Sequence, residues 1–300
     1  MLYKLTVGYF VLFQIDDMKI IYTAKEMTEI SCELIKAGKT IGFVPTMGAL
    51  HLGHLSLFEA VKQYADVAMA SIFVNPTQFA PNEDFDKYPR DLKKDVEMAE
   101  LYGIDYVFAP SNDEMYSKNF LTNIHLDGIT KVFEGERRPT HFDGVALVVA
   151  NLFNIIKPHY AFFGQKDYQQ TLVIKQMVKD LNFDIDVVVR PTVRLENGLA
   201  MSSRNNYLTD DEKEKATIIY KSMLEAKSAI SLGERNKEKI VKIIVEKIAE
   251  VPELKIDYVA VVKQKDLSEV DNFVSGDEIV ILIAAFLGKT RLIDNMLITV

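Results

Sequence analysis

The sequence predicts an α/β fold, in which a Rossmann-like, doubly wound parallel sheet is followed by a second, smaller α+β domain. Between residues 19 and 191, short apolar runs alternate with longer segments of helical periodicity. Such alternation is typical of a parallel sheet with helices on both faces. After Arg190 and Pro191 the pattern changes to charged amphipathic helices followed by apolar strands, which indicates a separate unit.

The elements of the first unit follow from apolar runs bounded by polar or turn residues. Strands are predicted at 19–22, 40–44, 67–74, 106–109, 160–164 and 184–189. Helices are predicted between them at 24–37, 52–64, 92–101, 144–156 and 168–181. Ligands of open parallel sheets bind beyond the carboxyl ends of the strands, so the loops after these strands are where function is expected.

The second unit is predicted to contain two helices and three strands. The helices fall at 210–232 and 235–250, and the strands at 256–262, 278–286 and 290–298. The expected division of the chain is therefore an upstream extension at 1–17, a nucleotide-binding domain at 18–192 and a smaller lid domain at 193–300. The extension is apolar and precedes Met18. We interpret it as an extension outside the core fold that results from a start codon assigned too early. A signal peptide or a membrane span is not expected.

Composition narrows the class of function. The chain has 300 residues, of which 48% are hydrophobic and 26% charged, which is typical of a soluble globular protein. Its net charge of -8 disfavours non-specific binding to nucleic acid or to anionic membranes, so neither is expected as a partner. The single cysteine, Cys32, rules out an internal disulfide and predicts a reducing, cytoplasmic location.

The loop after the second predicted strand has the features of a phosphate site. A turn at Gly48 would lead into the helix at 52–64, whose unpaired N–H groups and positive dipole end would face the crevice. His51 and His54 would project from one side of this helix start, and Gly53 would let a ligand approach the backbone. The alternative is structural: His51 caps the helix and His54 lies on a polar face.

The loop after the third predicted strand carries two amides, Asn75 and Gln78, around Pro76. Amides both donate and accept hydrogen bonds without charge, which suits the carboxylate or hydroxyl of a small hydroxy acid. The alternative is that both amides stabilise the turn at Pro76.

Three carboxylates follow close behind, at Glu83, Asp84 and Asp86, beside Arg90. Carboxylate oxygens are the protein ligands that Mg²⁺ prefers, directly or through water. Asp84 is the predicted metal ligand, although this spacing is also typical of an ordinary polar loop.

Two further loops are expected to face the same crevice. After the fifth predicted strand, Lys166 offers a compact positive charge to phosphate and Asp167 an acceptor for ribose hydroxyls. Past the domain boundary, Ser202, Ser203 and Arg204 provide hydroxyls and a guanidinium suited to a leaving pyrophosphate. Alternatively, Lys166 is a surface residue and the serines form a helix cap.

With these loops in view, the chain resembles the pantothenate synthetase family, within the adenylate-forming enzymes that share histidine-rich and serine-rich loops. The resemblance runs from about Met18 to the end of the sequence. It rests on seven motifs in order: PTMGALHLGH at 45–54, VNPTQF at 74–79, EDFDKYPR at 83–90, HFDGV at 141–145, FGQKDYQQ at 163–170, MSSRN at 201–205 and RLIDN at 291–295.

The resemblance implies specific roles for residues in this sequence. Gln78 and Gln170 are expected to bind pantoate, with Gln78 also near β-alanine. The expected catalytic residues are His54, as the family's catalytic histidine, together with His51, Lys166, Ser202, Ser203 and Arg204. The expected contacts to ATP are Met47, Gly48, Ala49, Leu50, His51, Leu52, Gly53, His54, Gly164, Gln165, Lys166, Asp167, Val193, Met201, Ser202, Ser203 and Arg204.

The implied reaction consumes ATP with Mg²⁺. Pantoate would attack the α-phosphorus to form pantoyl adenylate and pyrophosphate, and β-alanine would then displace AMP, without a protein nucleophile. A homodimer is also implied. One departure from the family pattern is Thr140, where glycine is expected and a β-branched residue restricts the backbone. The alternatives are a nucleotidyltransferase that moves AMP to a phosphorylated acceptor and a catalytically silent nucleotide-binding protein.

Overall fold

The computed structural model describes residues 18–81, 83 and 85–300. The predicted extension at 1–17 and the predicted metal ligand Asp84 lie outside the described residues. Within the described part, no helix is both long enough and apolar enough to cross a membrane.

A parallel sheet organises the first unit. Its six strands are β1 (Lys19–Ile21), β2 (Ile41–Thr46), β3 (Val67–Ile72), β4 (Tyr106–Phe108), β5 (Tyr160–Gly164) and β6 (Asp186–Arg190). The connecting helices are α1 (Ala24–Lys36), α2 (Leu52–Val61), α3 (Leu92–Leu101), α4 (Asn112–Met115), α5 (Glu134–Arg137), α6 (His141–Ile156) and α7 (Tyr168–Asp180). The predicted α/β class is therefore confirmed, and the two short helices α4 and α5 are additions to the prediction.

The strand order, β1-β4-β3-β2-β5-β6, places a topological switch point between β2 and β5. From β2 the chain winds through β3 and β4 in one direction, and from β5 to β6 in the other. All the pairings are parallel. At a switch point the loops that follow the two strands diverge and leave a crevice for ligands. The histidine-rich loop follows β2 and the Lys166 loop follows β5, so the topology alone brings them together.

Helices bury both faces of this sheet. On one face α1, α6 and α7 contribute Met27, Phe153 and Met177 to a cluster around Phe43. On the other face α2 supplies Phe58 to a second core cluster. Full burial of one such side chain is worth about 1.5–3 kcal/mol, so the sheet provides a rigid platform for the loops at its edge.

The second unit is a three-stranded antiparallel sheet covered by helices. It contains α8 (Asp210–Ala216), α9 (Ile218–Ser231) and α10 (Lys237–Ile248), followed by β7 (Leu254–Lys263), β8 (Glu278–Leu287) and β9 (Thr290–Thr299), in the order β7-β8-β9. Helices α9 and α10 pack on one face of this sheet. The other face packs against Tyr168 at the start of α7, which places β9 beside the crevice of the first unit. The predicted smaller α+β unit is confirmed.

The helix predicted at 210–232 is interrupted at Thr217. The Thr217 side chain donates a hydrogen bond to the carbonyl of Glu214 at 2.6 Å. Such a bond from a β-branched threonine competes with the helical pattern of the backbone. Two helices, α8 and α9, therefore replace the single predicted one.

Candidate active site

A cavity of about 940 Å³ lies at the switch point, between the carboxyl end of the parallel sheet and the second unit. Residues from all four predicted loops line it. They are Met47, His51, Gly53, His54, Gln78, Gly164, Lys166, Asp167, Gln170, Val193, Met201, Ser202, Ser203 and Arg204. Among the predicted ATP contacts, the described residues that do not line the cavity are Gly48, Ala49, Leu50, Leu52 and Gln165. Their contact with ATP stays a prediction.

The backbone between β2 and α2 is held by a buried carboxylate that sequence reasoning missed. Asp95, on α3, accepts hydrogen bonds from the backbone N–H groups of Ala49 at 2.9 Å and Leu50 at 2.8 Å. Both Gly48 (φ 75°) and Ala49 (φ 51°) have positive φ. A Cβ atom on Gly48 would lie 2.6 Å from the Asp95 carboxylate, so glycine is required here by both conformation and space. This turn aims the start of α2 at the cavity.

His51 and His54 are joined in a capping box. The Nδ1 atom of His51 accepts from the N–H of Gly53 at 3.1 Å, and the Nδ1 atom of His54 accepts from the N–H of His51 at 3.4 Å. Because both Nδ1 atoms accept, the proton of each neutral ring lies on Nε2. Burial lowers the pKa of His51 to about 4 and the pKa of His54 to about 3. Both rings are therefore neutral near pH 7. His51 and His54 cap the helix and also line the cavity, so the two interpretations of these histidines do not exclude each other.

Gly53, which lines the cavity, also leaves room for the ring of His51. A Cβ atom at this position would lie 2.8 Å from Cε1 of His51. The capping position of the His51 ring therefore depends on the glycine two residues later, while the expected approach of a ligand to Gly53 stays a prediction.

Both amides of this loop line the cavity, and Asn75 also stabilises the turn. Asn75 is buried and caps the turn Pro76–Gln78, and its Nδ2 donates to Oε1 of Gln78 at 3.1 Å and to the carbonyl of Gly144 at 3.1 Å. This confirms the turn-stabilising interpretation for Asn75. Gln78 lies against Met47, with Nε2 3.1 Å from the sulfur, and lines the cavity.

Lys166 and Asp167 form an ion pair within the cavity, 3.2 Å from Nζ to Oδ1. Burial alone would raise the pKa of Asp167, but the adjacent Lys166 ammonium outweighs it and the pKa lies below the usual value. Of the two glutamines that follow, Gln169 is buried and bonds to the backbone of Glu134, with Oε1 accepting at 3.1 Å. Gln170 lines the cavity, and its contact with pantoate stays a prediction.

The serine-rich loop approaches from the second unit. The hydroxyl of Ser202 accepts from the N–H of Arg204 at 3.3 Å, and that of Ser203 lies 3.4 Å from the hydroxyl of Tyr88. Met201 lies close to the helix start of α2, since a Cβ atom on Gly53 would be 3.9 Å from its Cβ. The histidines and the serine-rich loop therefore face the same space from opposite units.

Glu83, a described carboxylate of the predicted metal segment, binds an arginine. Glu83 forms a two-pronged ion pair with Arg138, with both oxygens 2.6 Å from guanidinium nitrogens. Arg90 donates to the carbonyls of Phe85 and Tyr88 rather than to a carboxylate. No group of three or more His, Cys, Asp or Glu side chains suited to a metal ion occurs among residues 18–81, 83 and 85–300. The expectation that Glu83 helps to hold Mg²⁺ is not supported.

The segment before α6 has an ordinary backbone at Thr140. Its φ of -100° and ψ of -6° are allowed for any L-residue, so threonine can replace the glycine expected there. One residue on, the ring of His141 contacts the carbonyl of Gln78, with Nδ1 2.9 Å from the oxygen. Glycine is required instead at Gly144, where an added Cβ would lie 2.3 Å from the carbonyl of Thr77.

A network of charges, which sequence reasoning missed, joins the two units at the cavity. The guanidinium of Arg291 on β9 donates to both oxygens of Glu134 at 2.7 Å and to Asp257 at 2.8 Å. Tyr258 adds a hydrogen bond to Glu134 at 2.8 Å. A register shift in β7 between Ile256 and Tyr258 marks a bulge at Asp257, which is a common means of redirecting a side chain.

The buried histidines predict a stability that falls with acid. Burial lowers the pKa of His51, His54 and His141 to about 4, 3 and 4, from 6.5. Above pH 6.5 neither the folded nor the unfolded chain binds protons at these rings. Below pH 6.5 the unfolded chain binds them first, so the free energy of unfolding decreases as the pH falls from 6.5 toward the pKa values of the folded protein. The expected slope is about 1.4 kcal/mol per pH unit for each proton taken up. Urea unfolding at pH 7, 6 and 5 measures it.

The control for this pH dependence is His141→Asn, which should flatten it by removing one of the protons. The exposed His125 works in the opposite direction, because its bond to Asp143 raises its pKa, but solvent screens this pair. An unfolding free energy that stays constant from pH 7 to pH 5 would contradict the neutral state of the three rings.

Comparison with known proteins identifies the family of this chain. A family model described as pantoate-beta-alanine ligase matches residues 19–297. The chain is 50% identical to the pantothenate synthetase of Caldicellulosiruptor bescii over 281 residues, 94% of this chain and 99% of the relative. For Caldicellulosiruptor saccharolyticus the identity is 51% over 283 residues, 94% of this chain and 100% of the relative.

Solved structures give the same result. The pantothenate synthetase of Thermus thermophilus superimposes with a TM-score of 0.87 at 40% identity, covering 93% of this chain and 99% of the other. The pantoate-beta-alanine ligase of Francisella tularensis, complexed with β,γ ATP and β-alanine, has a TM-score of 0.75 at 38% identity, covering 93% and 97%. Because one family model spans nearly the whole described chain and full-length relatives are half identical to it, this chain belongs to the pantoate–β-alanine ligase family.

Proposed function

We propose that the cavity at the switch point is the site at which this chain performs the ligase reaction of its family. That reaction is the ATP-dependent condensation of (R)-pantoate with β-alanine to give pantothenate, AMP and pyrophosphate. One observation carries the assignment of the site: the histidine loop after β2 and the Lys166 loop after β5 meet in one cavity with Gln78, Gln170 and the serine-rich loop.

The first step forms pantoyl adenylate. A carboxylate oxygen of pantoate bonds to the α-phosphorus of ATP, and the bond from that phosphorus to the pyrophosphate oxygen breaks. Charge moves to the leaving pyrophosphate, so groups that donate hydrogen bonds or carry positive charge there stabilise the transition state. We assign this role to Nε2–H of His51 and His54, to the ammonium of Lys166, and to the loop of Ser202, Ser203 and Arg204.

The second step forms the amide. The unprotonated amine of β-alanine bonds to the acyl carbon, the bond from that carbon to the AMP oxygen breaks, and the nitrogen loses a proton. No protein nucleophile is needed, so the protein contributes position and exclusion of water. We assign Gln78 and Gln170 to pantoate, because both amides line the cavity and can bond a carboxylate or hydroxyl at any protonation state of the ligand. We also assign Gln78 a position near β-alanine.

Mg²⁺ is proposed to enter with ATP. Mg²⁺ in nucleotide sites is held by phosphate oxygens, water and one or two carboxylates rather than by a protein cage. The absence of a three-ligand cluster among residues 18–81, 83 and 85–300 agrees with such a substrate-bound ion. Among the described carboxylates that line the cavity, we take Asp167 as the candidate for this role, because it lies beside the phosphate-binding candidate Lys166, while Asp84 stays a prediction.

The test is AMP formation from Mg-ATP with pantoate, β-alanine, both or neither. AMP that requires both acids would support the ligase reaction. AMP transfer to a phosphorylated acceptor, with no dependence on β-alanine, would instead support a nucleotidyltransferase and overturn the proposal. Pantoate-dependent exchange between ATP and labelled pyrophosphate, without β-alanine, tests the adenylate step separately.

We further propose a homodimer in the cytoplasm, with a nucleotide-binding domain at 18–192 and a lid domain at 193–300. The family resemblance supports the dimer, and the single cysteine supports a reducing compartment. The end of β6 at Arg190 supports the domain boundary. Light scattering of the purified chain would test the dimer through its molar mass.

A further inference from the structure

One strand of the second unit bonds to three separate walls of the cavity. The RLIDN motif at 291–295 lies on β9 and received no role from the sequence. Arg291 bonds Glu134 before α6. Asp294 forms a two-pronged ion pair with Arg194, at 2.6 and 2.9 Å, ahead of the serine-rich loop. Asn295 reaches the turn that carries Lys166.

The side chain of Asn295 forms its hydrogen bonds with that turn. Its side chain is 2% exposed. Its Nδ2 donates to the carbonyl of Gln165 at 3.0 Å and to the carbonyl of Lys166 at 2.9 Å, while its Oδ1 accepts from Nε2 of Gln165 at 3.1 Å. The two carbonyl acceptors settle the orientation of the amide, because only its nitrogen can donate to both.

The turn needs an external partner. It is a single 3-10 turn, Gln165–Asp167, between β5 and α7, and no side chain caps its start at Gly164. Gly164 has open space around it and places little restriction on the backbone. The two carbonyls that Asn295 contacts belong to the two peptide units on either side of the Lys166 Cα atom. Their direction therefore sets the direction of the Cα–Cβ bond from which the Lys166 side chain extends to Asp167.

We propose that Asn295 is a positioning residue of the ligase reaction, which holds the backbone on which Lys166 reaches the phosphates of ATP. This inference rests on the proposed function and deepens it, since it gives the RLIDN strand a part in the adenylate step. In this proposal Asn295 acts through Lys166, because the hydrogen bonds of its side chain go to Gln165 and Lys166. A displacement of about 1 Å at a reacting group can cost 10²-fold in rate, so a small shift of this turn would be visible in kinetics.

Two substitutions separate geometry from charge. Asn295→Asp keeps size and the acceptor but turns a second oxygen toward the two carbonyls. Asn295→Leu removes every hydrogen bond without adding charge. We expect both to lower kcat of pantoate-dependent exchange by about 10- to 100-fold, with the KM for pantoate within about threefold of the parent. The matched control is Asn236→Ala, which removes the cap of α10 and should lower the melting temperature while leaving kcat unchanged.

A double-mutant cycle identifies the route of the effect. If Asn295 acts through Lys166, then Asn295→Leu should cost little further activity in a Lys166→Ala background, because coupled positions are not additive. A full, independent loss in that background would overturn the proposal, as would a kcat for Asn295→Leu within twofold of the parent. A loss in Asn295→Asp alone would overturn it too, since charge would then be the cause. An inactive parent would overturn the proposed function itself, which distinguishes the two failures.

Discussion

His54→Ala is expected to slow pantoate-dependent ATP–pyrophosphate exchange by about 10²- to 10³-fold, a loss of roughly 3 to 4 kcal/mol of transition-state stabilisation. In the proposed mechanism, Nε2–H of this buried, neutral ring donates a hydrogen bond to the charge that develops on the leaving pyrophosphate, and alanine removes that donor. Burial holds the pKa of His54 at about 3, so the ring stays a neutral donor across the working pH range. The loss should appear in kcat more than in the KM for ATP.

His125→Ala is the control, because this histidine lies on the surface in contact with Asp143 and outside the cavity. It should exchange pyrophosphate at close to the parental rate. His54→Gln adds a second comparison, since glutamine can donate a hydrogen bond from a similar position and should recover part of the activity. If His54→Ala retained near-full exchange, the assigned role of the ring would be wrong.

Arg291→Ala is expected to lower the free energy of unfolding by about 3 kcal/mol or more. Removing the guanidinium leaves the carboxylate of Glu134 without its ion-pair partner, whereas Asp257 keeps its ion pair with Arg137 at 3.1 Å, and both carboxylates are largely shielded from water. An uncompensated buried charge costs more than the pair contributes. The pKa of Glu134 now lies below its usual value because Arg291 outweighs the effect of burial, and it should rise in the variant. Urea unfolding at pH 7 measures the loss.

Two further variants show what causes the lower free energy of unfolding in Arg291→Ala. Adding Glu134→Gln removes one stranded charge and should restore part of the stability. Lys215→Ala breaks ion pairs with Asp211 and Glu253 at the surface, and should lower the free energy of unfolding far less than Arg291→Ala does, because solvent screens exposed pairs. If Arg291→Ala lowered the free energy of unfolding no more than Lys215→Ala does, the network at the cavity would stabilise the protein no more than an exposed ion pair does.

Local pattern was sufficient to predict the elements that determine the fold. Apolar runs delimited β2 and β5, and their order along the chain predicted a parallel sheet with loops at its carboxyl edge. The cavity-lining residues found in this way, among them His54, Gln78 and Lys166, all follow a strand or open a helix. Their chemistry is visible in sequence because it depends on residue type near an element boundary.

The residues that sequence missed act across long separations. Asp95 holds a turn 45 residues earlier in the chain, and Arg291 bonds Glu134 across 157 residues. No local periodicity reports such a contact, because the partner is set by how helices and sheets pack. Thr217 was missed for another reason: its side chain breaks the helix through a bond to its own preceding turn, while the apolar periodicity continues on both sides. The RLIDN motif was recognised, but its strand pattern did not show which side chains reach the cavity.

The bond between Asn295 and the Lys166 turn also has a consequence for biosynthesis. The ribosome adds a further 130 residues between Gln165 and Asn295, which takes roughly 6 to 26 s at typical rates of about 5–20 residues per second. During that interval the parallel sheet can form with its histidines and lysine in place, while the turn still lacks its partner. The nascent chain would therefore acquire the shape of a nucleotide-binding domain before it acquires an adenylating site.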